Sequence, residues 1–232
     1  SLGKTSLALE AAMQVEKSAA GQVIIFSLEM SKEALIRRMV SQHSGVNSTL
    51  WRMNMLDQEA RRKQEAALNQ LVGMNIVLVD GLFSASAMHA EVRKRRVEGE
   101  VALVVVDYLQ LMRGSGRVQH RAHEVGESSR FIKQAAQEFG IPFLVISQLN
   151  REYAKAGRRP ELYDLKESGD IEYDANTVLF LHPEMGMEDK SDPLAMQVIV
   201  AKNREGERDV EAPMWFYRTT QRFRERAPEP TQ

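Results

Sequence analysis

Residues 101–107 read VALVVVD, six apolar residues of which four are valine, closed by one aspartate. An unbroken, valine-rich apolar run of this kind suits a strand buried on both faces, as strands of a parallel sheet are when helices cover them. Comparable runs recur at residues 23–26 (VIIF), 76–79 (IVLV), 142–146 (PFLVI), 178–181 (VLFL) and 198–201 (VIVA). Between them lie helical patterns. Ala60, Gln64, Ala67, Leu68 and Leu71 follow Asp57, a suitable N-cap, and Val125, Ile132, Ala135, Ala136 and Phe139 end at Gly140 ahead of Pro142. Strands alternating with helices predict a doubly wound α/β fold, a mostly parallel sheet flanked by helices. After residue 181 the helical pattern lapses, and turns such as Glu205-Gly206 predict an antiparallel C-terminal edge. The PEPTQ ending at 228–232 reads as a frayed tail, which leaves residues 1–227 as one domain.

Composition narrows the function classes. The 232 residues suffice for a sizeable core, and a formal net charge of −1 gives no global basic field, so any nucleic-acid binding has to be local. With no cysteine the chain has neither disulfides nor thiolate metal sites, which fits a reducing cytoplasm. Of five histidines only His120 and His123 are close, in a charged segment that suits a solvated helix face better than a metal site. No run has transmembrane length, and no signal peptide is present, so no membrane role is expected.

In such a sheet ligands bind beyond the carboxyl ends of the strands, which directs attention to the polar residue after each run. Asp107 closes the VALVVV strand as the Mg²⁺-holding carboxylate does in phosphate-loop NTPases. Upstream, Gly3-Lys4-Thr5 reads as the end of G-x-x-x-x-G-K-S/T, the loop whose amides and lysine cradle nucleotide phosphates, with Ser6 next in line. The 23–26 run leads into Ser27-Leu28-Glu29-Met30-Ser31, where two readings stand. Glu29 lies in a turn ahead of a helix capped by Ser31, or it is a general base facing a γ-phosphate. Gln148, after the 142–146 run, is an ordinary polar strand end or a γ-phosphate sensor. The segment DLKESGDIEYDAN (164–176) carries Lys166-Glu167-Ser168-Gly169, a solvated turn or a loop bringing amides and a cation to a phosphate. Lys202 and Arg204 follow the last run, as a charged hairpin or as a pair reaching a neighbour's nucleotide.

Taken together, GKTSLALE (3–10), FSLEMS (26–31), VVVDYLQLM (104–112), SQLNRE (147–152), DLKESGDIEYDAN (164–176) and AKNREG (201–206) resemble the RecA-like motor domain of DnaB-type hexameric replicative helicases, in that family's order and across nearly the whole chain. The resemblance implies a RecA-like P-loop NTPase core using ATP and Mg²⁺. It implies that Gly3, Lys4, Thr5 and Ser6 form the nucleotide loop, Lys4 on the β- and γ-phosphates, that Thr5 and Asp107 hold Mg²⁺, and that Glu29 activates water. Gln148 takes the sensor position. Lys202 and Arg204 match the pair inserted into the adjacent subunit's ATP site, and residues 166–169 fall on a channel loop that grips single-stranded DNA. The region 113–121 resembles a second channel loop loosely, with no individual contact carried over. The implied assembly is a homohexamer with ATP between subunits, working in the cytoplasm at the replication fork with a primase and a helicase loader, and moving 5′ to 3′. The first loop glycine, the strand feeding it and the family's amino-terminal collar are expected upstream of Ser1, which makes the chain a fragment cut inside the loop, or the ordered part of something longer. Two alternatives remain open: a recombinase- or clock-type ATPase without unwinding, and a non-catalytic assembly or loader-binding module.

Overall fold

The computed structural model describes residues 2–81, 84–112, 121–150, 153, 158–165, 169–184 and 191–227. In chain order its longer elements are α1 (Lys4–Ser18), β1 (Gln22–Ser27), α2 (Lys32–Ser44), α3 (Ser48–Arg52), α4 (Gln58–Val72), β2 (Ile76–Asp80), α5 (Ala85–Glu98), β3 (Val101–Asp107), α6 (Arg121–Phe139), β4 (Phe143–Val145), β5 (Thr177–Pro183), β6 (Leu194–Asn203), β7 (Val210–Tyr217) and β8 (Arg222–Glu225). The chain divides into two compact units that interleave in sequence, one of Ser1–Glu10, Glu33–Met74 and Thr177–Gln232, the other of Ala11–Lys32 and Asn75–Asn176.

The second of these units is built on a parallel sheet of order β2-β1-β3-β4. The apolar runs explain which strands are central. Val23, Ile24 and Phe26 of β1, with Val104 and Val106 of β3, have no exposed surface, and each such side chain contributes about 1.5–3 kcal/mol by leaving water. Gly140, at φ +65°, ends α6 in the left-handed region where a side chain would be strained, and the chain turns there into β4.

The first unit carries an antiparallel sheet of order β5-β6-β7-β8, hydrogen-bonded separately from the parallel one. The runs at 178–181 and 198–201 look like the other four in sequence, yet they lie in this sheet as parts of β5 and β6. The physical reason is in β5. Val178, Phe180 and His182 are buried while Leu179 stays half exposed, so burial falls off along one face of β5, as antiparallel sheets permit. On the face that carries Leu181, a core of Leu194, Met196, Phe216 and Phe223 has Leu2, Leu7, Leu181 and Met214 packed around it. Elsewhere in this unit Asp57 caps α4 as expected, accepting from the Ala60 N–H at 2.7 Å.

Candidate functional site

In the parallel-sheet unit, β1 and β3 run in register so that Ser27 lies beside Asp107, and Ser27 also lies beside Asp80 of β2. The three strands therefore end at one level. Past β1 the chain makes a tight turn: the Ser27 hydroxyl donates to the Met30 carbonyl at 2.8 Å and accepts from the Met30 N–H at 3.1 Å. This clasp leaves Glu29 exposed at the tip, while the Leu28 N–H donates to the Asp107 carbonyl at 2.7 Å. Asp80 accepts from the Lys32 N–H at 3.0 Å at the start of α2, and that bond with the Lys32 ammonium holds its carboxyl below the usual range.

Asp107 is 2% exposed, an acidic side chain that the fold withdraws from bulk water at a strand end. Beyond it a 3₁₀ turn, Leu109–Leu111, places the buried Gln110 against the end of β4: its amide donates to the Ser147 hydroxyl at 2.8 Å, and its carbonyl oxygen accepts from the Gln148 N–H at 3.4 Å. Glu29, Asp107 and Gln148 thus follow three neighbouring strands, β1, β3 and β4, at their carboxyl ends.

In the other unit, α1 opens with Gly3-Lys4-Thr5-Ser6, and its hydrogen-bond ladder begins with the Leu7 N–H donating to the Gly3 carbonyl at 2.9 Å. The preceding amides point out of the helix end, the arrangement that favours an anion. Gly3 has φ +84°, and a Cβ there would come within 2.8 Å of Phe216 Cζ and 2.9 Å of Phe223 Cζ. Only glycine lets the turn seat against those two stacked rings, whose centroids are 4.5 Å apart. Lys4 is exposed and Thr5 half-buried. Ser6 is fully buried with its hydroxyl donating to Gln221 Oε1 at 2.8 Å, so a phosphate would meet its backbone N–H rather than its side chain. The Gln42 amide ties the same turn down by donating to the Ser6 carbonyl at 2.7 Å and to the Gln221 carbonyl at 2.8 Å.

Lys202 and Arg204 stand at the opposite end of β6 from this turn. Leu194 pairs with Phe216, the ring that meets Gly3, whereas Lys202 pairs with Val178 of β5. Eight residues of strand separate Leu194 from Lys202, roughly 26 Å at the usual rise. Lys202 is half-buried and Arg204 exposed in the turn leading to β7, where Asn203 Oδ1 accepts from the Glu205 N–H at 3.3 Å.

The expected residues therefore fall into two groups: Gly3, Lys4, Thr5, Ser6, Lys202 and Arg204 in one unit, and Glu29, Asp107, Gln148 and Gly169 in the other. Gly169 begins a short helix, Gly169–Asp174. Lys166, Glu167 and Ser168, most of the 113–121 loop, Arg151 and Glu152 of SQLNRE, His120, and the 228–232 tail lie outside the described residues. Three positions were missed in the sequence. Gln110 sits inside the quoted VVVDYLQLM and could have been read as a partner for the next strand end. Gln42 and Gln221 gave no local signal, since they meet Ser6 across 36 and 215 residues of chain.

A parallel four-stranded sheet with an acidic residue closing a buried central strand, an antiparallel sheet beside it in sequence, and a helix opened by Gly-Lys-Thr define a RecA-like α/β domain. The chain belongs to the DnaB-like helicase C-terminal domain family, whose model matches residues 1–225. It is 36% identical over 210 residues to the replicative DNA helicase DnaB of Geobacillus stearothermophilus, covering 89% of this chain and 46% of that protein. It is 35% identical over 211 residues to the replicative DNA helicase DnaC of Bacillus subtilis (strain 168), with the same coverage of 89% and 46%. The chain thus spans about half the length of the curated relatives it matches. Among solved structures, an ATPase domain superposes with a TM-score of 0.88 at 27% identity, over 96% of this chain and 80% of that one. A DnaB-like replicative helicase, from a study of its interactions with primase, gives 0.88 at 28% identity, over 96% of this chain and 54% of that one.

Proposed function

We propose that this chain is the ATP-driven motor of a replicative DNA helicase, working as a homohexameric ring that moves 5′ to 3′ on single-stranded DNA and excludes the other strand. The observation that carries the reading is the common level at which β1 and β3 end, with β4 pairing alongside β3, where a glutamate, a buried aspartate and a glutamine follow the three strands. The names of the relatives, replicative DNA helicases, support it.

In this reading Lys4 neutralises the β- and γ-phosphates while Gly3, Thr5 and Ser6 offer backbone amides at the start of α1. Glu29, presented at the tip of its turn, orients and deprotonates the attacking water. Gln148 holds a γ-phosphate oxygen and loses that partner on hydrolysis. Lys202 and Arg204 reach the neighbouring subunit's nucleotide, where Arg204 stabilises charge on the transferring group.

The donor chemistry fits Mg²⁺. The Thr5 hydroxyl and the Asp107 carboxylate are hard oxygen ligands, and among the described residues no cluster of three or more His, Asp or Glu forms a protein cage, which suits a cation that keeps water and phosphate oxygens. Bound there, Mg²⁺ would offset phosphate charge. Thr5 and Asp107 are the residues that would hold it.

DNA contact is assigned to Lys166, Glu167, Ser168 and Gly169, and primase and a loader are the proposed partners. Among the described residues no helix is long and apolar enough to cross a membrane, and the proposed setting is the cytoplasm at the replication fork. The test is binding of single-stranded DNA titrated against salt. The assembled protein binds, and Lys166→Ala weakens binding and lowers the log–log salt slope by about 0.7, the single-strand value for one phosphate contact. An unchanged slope returns Lys166 to a solvated turn, and absence of binding by the parent contradicts the reading.

A further inference from the structure

Among the described residues Gln221 is one of three other than glycine with positive φ, here +59°. It closes the turn 218–221 between β7 and β8, where Tyr217 pairs with Arg222. Glycine adopts this left-handed conformation freely, whereas glutamine is strained in it and stays there only where its surroundings impose it. Here they do. The Asp192 carboxylate accepts from the Arg218 N–H at 2.8 Å and from the Thr219 N–H at 3.2 Å. The Ser48 N–H and hydroxyl both donate to the Thr219 carbonyl, at 2.8 and 3.1 Å. Gln221 Nε2 donates to the Arg218 carbonyl at 2.6 Å, and Oε1 is left to accept from the Ser6 hydroxyl at 2.8 Å.

A second unfavourable feature lies at the same place. Gln42, 3% exposed on α2, gives its amide to the Ser6 and Gln221 carbonyls, while its own Oε1 is buried without a hydrogen-bond partner among the described residues. A buried acceptor without a donor destabilises a fold, and such groups call for a reason. The strained turn and the orphaned oxygen converge on Ser6, the residue after Lys4 and Thr5. The β7–β8 hairpin also meets α1 one turn to either side. Gly3 seats against the Phe216 and Phe223 rings, and Glu10 Oε2 accepts from the Phe223 N–H at 2.8 Å. Positions 3, 6 and 10 share one face of a helix, so the hairpin grips the start of α1 along a line. All of these residues belong to one compact unit.

We propose that Gln221 and Gln42 are positioning residues for the nucleotide: by fixing Ser6 they aim the amides and the lysine at the start of α1, and so set the affinity for ATP. This rests on the functional reading above, and it adds to that reading two residues that lie outside the Gly-Lys-Thr motif. Amides at a helix start hold an anion only while they converge on it, so the first turn has to be kept from shifting when phosphate binds. The contacts at Gly3 and Glu10 involve two rings and a backbone N–H, which any residue at 221 leaves in place. The grip on Ser6 comes from two side chains, and those two carry the unfavourable features.

The test measures binding of a fluorescent ATP analogue, KM and kcat for ATP, and thermal melting, for the assembled parent, Gln221→Gly and Gln42→Met. Glycine at 221 removes the side chain that reaches Ser6 and the strain together, so Gln221→Gly is expected to melt close to the parent. Its affinity for the analogue is expected to fall roughly fivefold to tenfold, about the worth of one hydrogen bond. KM is expected to rise in step while kcat stays within about twofold, as when binding rather than chemistry is impaired. Methionine at 42 keeps the length of glutamine without its donor, and Gln42→Met is expected to weaken binding in the same direction. Parental affinity in either variant overturns the proposal. So does a loss of affinity in Gln221→Gly matched by an equal fall in kcat or by a lowered melting temperature, the marks of a merely structural role. A parent that does not bind the analogue overturns the functional reading itself.

Discussion

Glu29→Gln is expected to bind ATP nearly as the parent does and to turn it over roughly 10²- to 10⁴-fold more slowly, the range for removing a general base. The substitution isolates the proton-accepting role. Glutamine has the length and shape of glutamate, so the turn clasped by Ser27 and Met30 keeps its form and the Leu28 bond to Asp107 is untouched. What is lost is the ability to take a proton from water. Nucleotide binding, read by a fluorescent ATP analogue, and steady-state turnover separate the two contributions. Near-parental turnover would return Glu29 to the other sequence reading, a residue passing through a turn ahead of α2.

Arg204→Ala is expected to remove most turnover from a homogeneous assembly, by roughly 10³-fold or more by analogy with other arginine fingers. The argument for action on a neighbour comes from β6. Its first residue pairs with Phe216 beside the Gly3 turn, and its last residues lie roughly 26 Å further along the strand, well beyond the reach of an arginine side chain. A guanidinium there cannot easily turn back to the loop of its own chain. Co-assembly makes the proposal stricter: a Lys4→Ala subunit still offers Arg204, and an Arg204→Ala subunit still offers Lys4. Mixed assemblies are expected to recover ATPase activity that neither variant has alone. Strong activity of Arg204→Ala by itself would sink the assignment.

The parallel half of the fold was legible because its central strands, β1 and β3, are buried on both faces. A strand such as VALVVVD needs no partner to announce itself, and Asp107 at its end is a local signal. The cap at Asp57 and the stop at Gly140 were legible for the same reason, each being decided within a few residues. The antiparallel sheet is legible only in part, because the 178–181 and 198–201 runs look in sequence like further parallel strands. Leu179 is the cause: an exposed apolar residue fills the gap that alternation would have left, and the run looks continuous. The supports of the candidate site were not legible at all. Ser6 is turned inward by Gln42 and Gln221, with no helical or strand period to relate them. Such contacts are fixed by tertiary packing, and a glutamine in a polar segment carries no sign of them.

The central claim, that this chain drives strand separation with ATP, is tested most directly by a forked DNA duplex with a single-stranded 5′ arm. The assembled protein is predicted to release the displaced strand when ATP is present, to fail without ATP or with Lys4→Ala, and to fail on a fork offering only a 3′ arm. ATP turnover on single-stranded DNA with the duplex left intact would contradict the claim and place the chain with ATPases that share this fold but do not unwind.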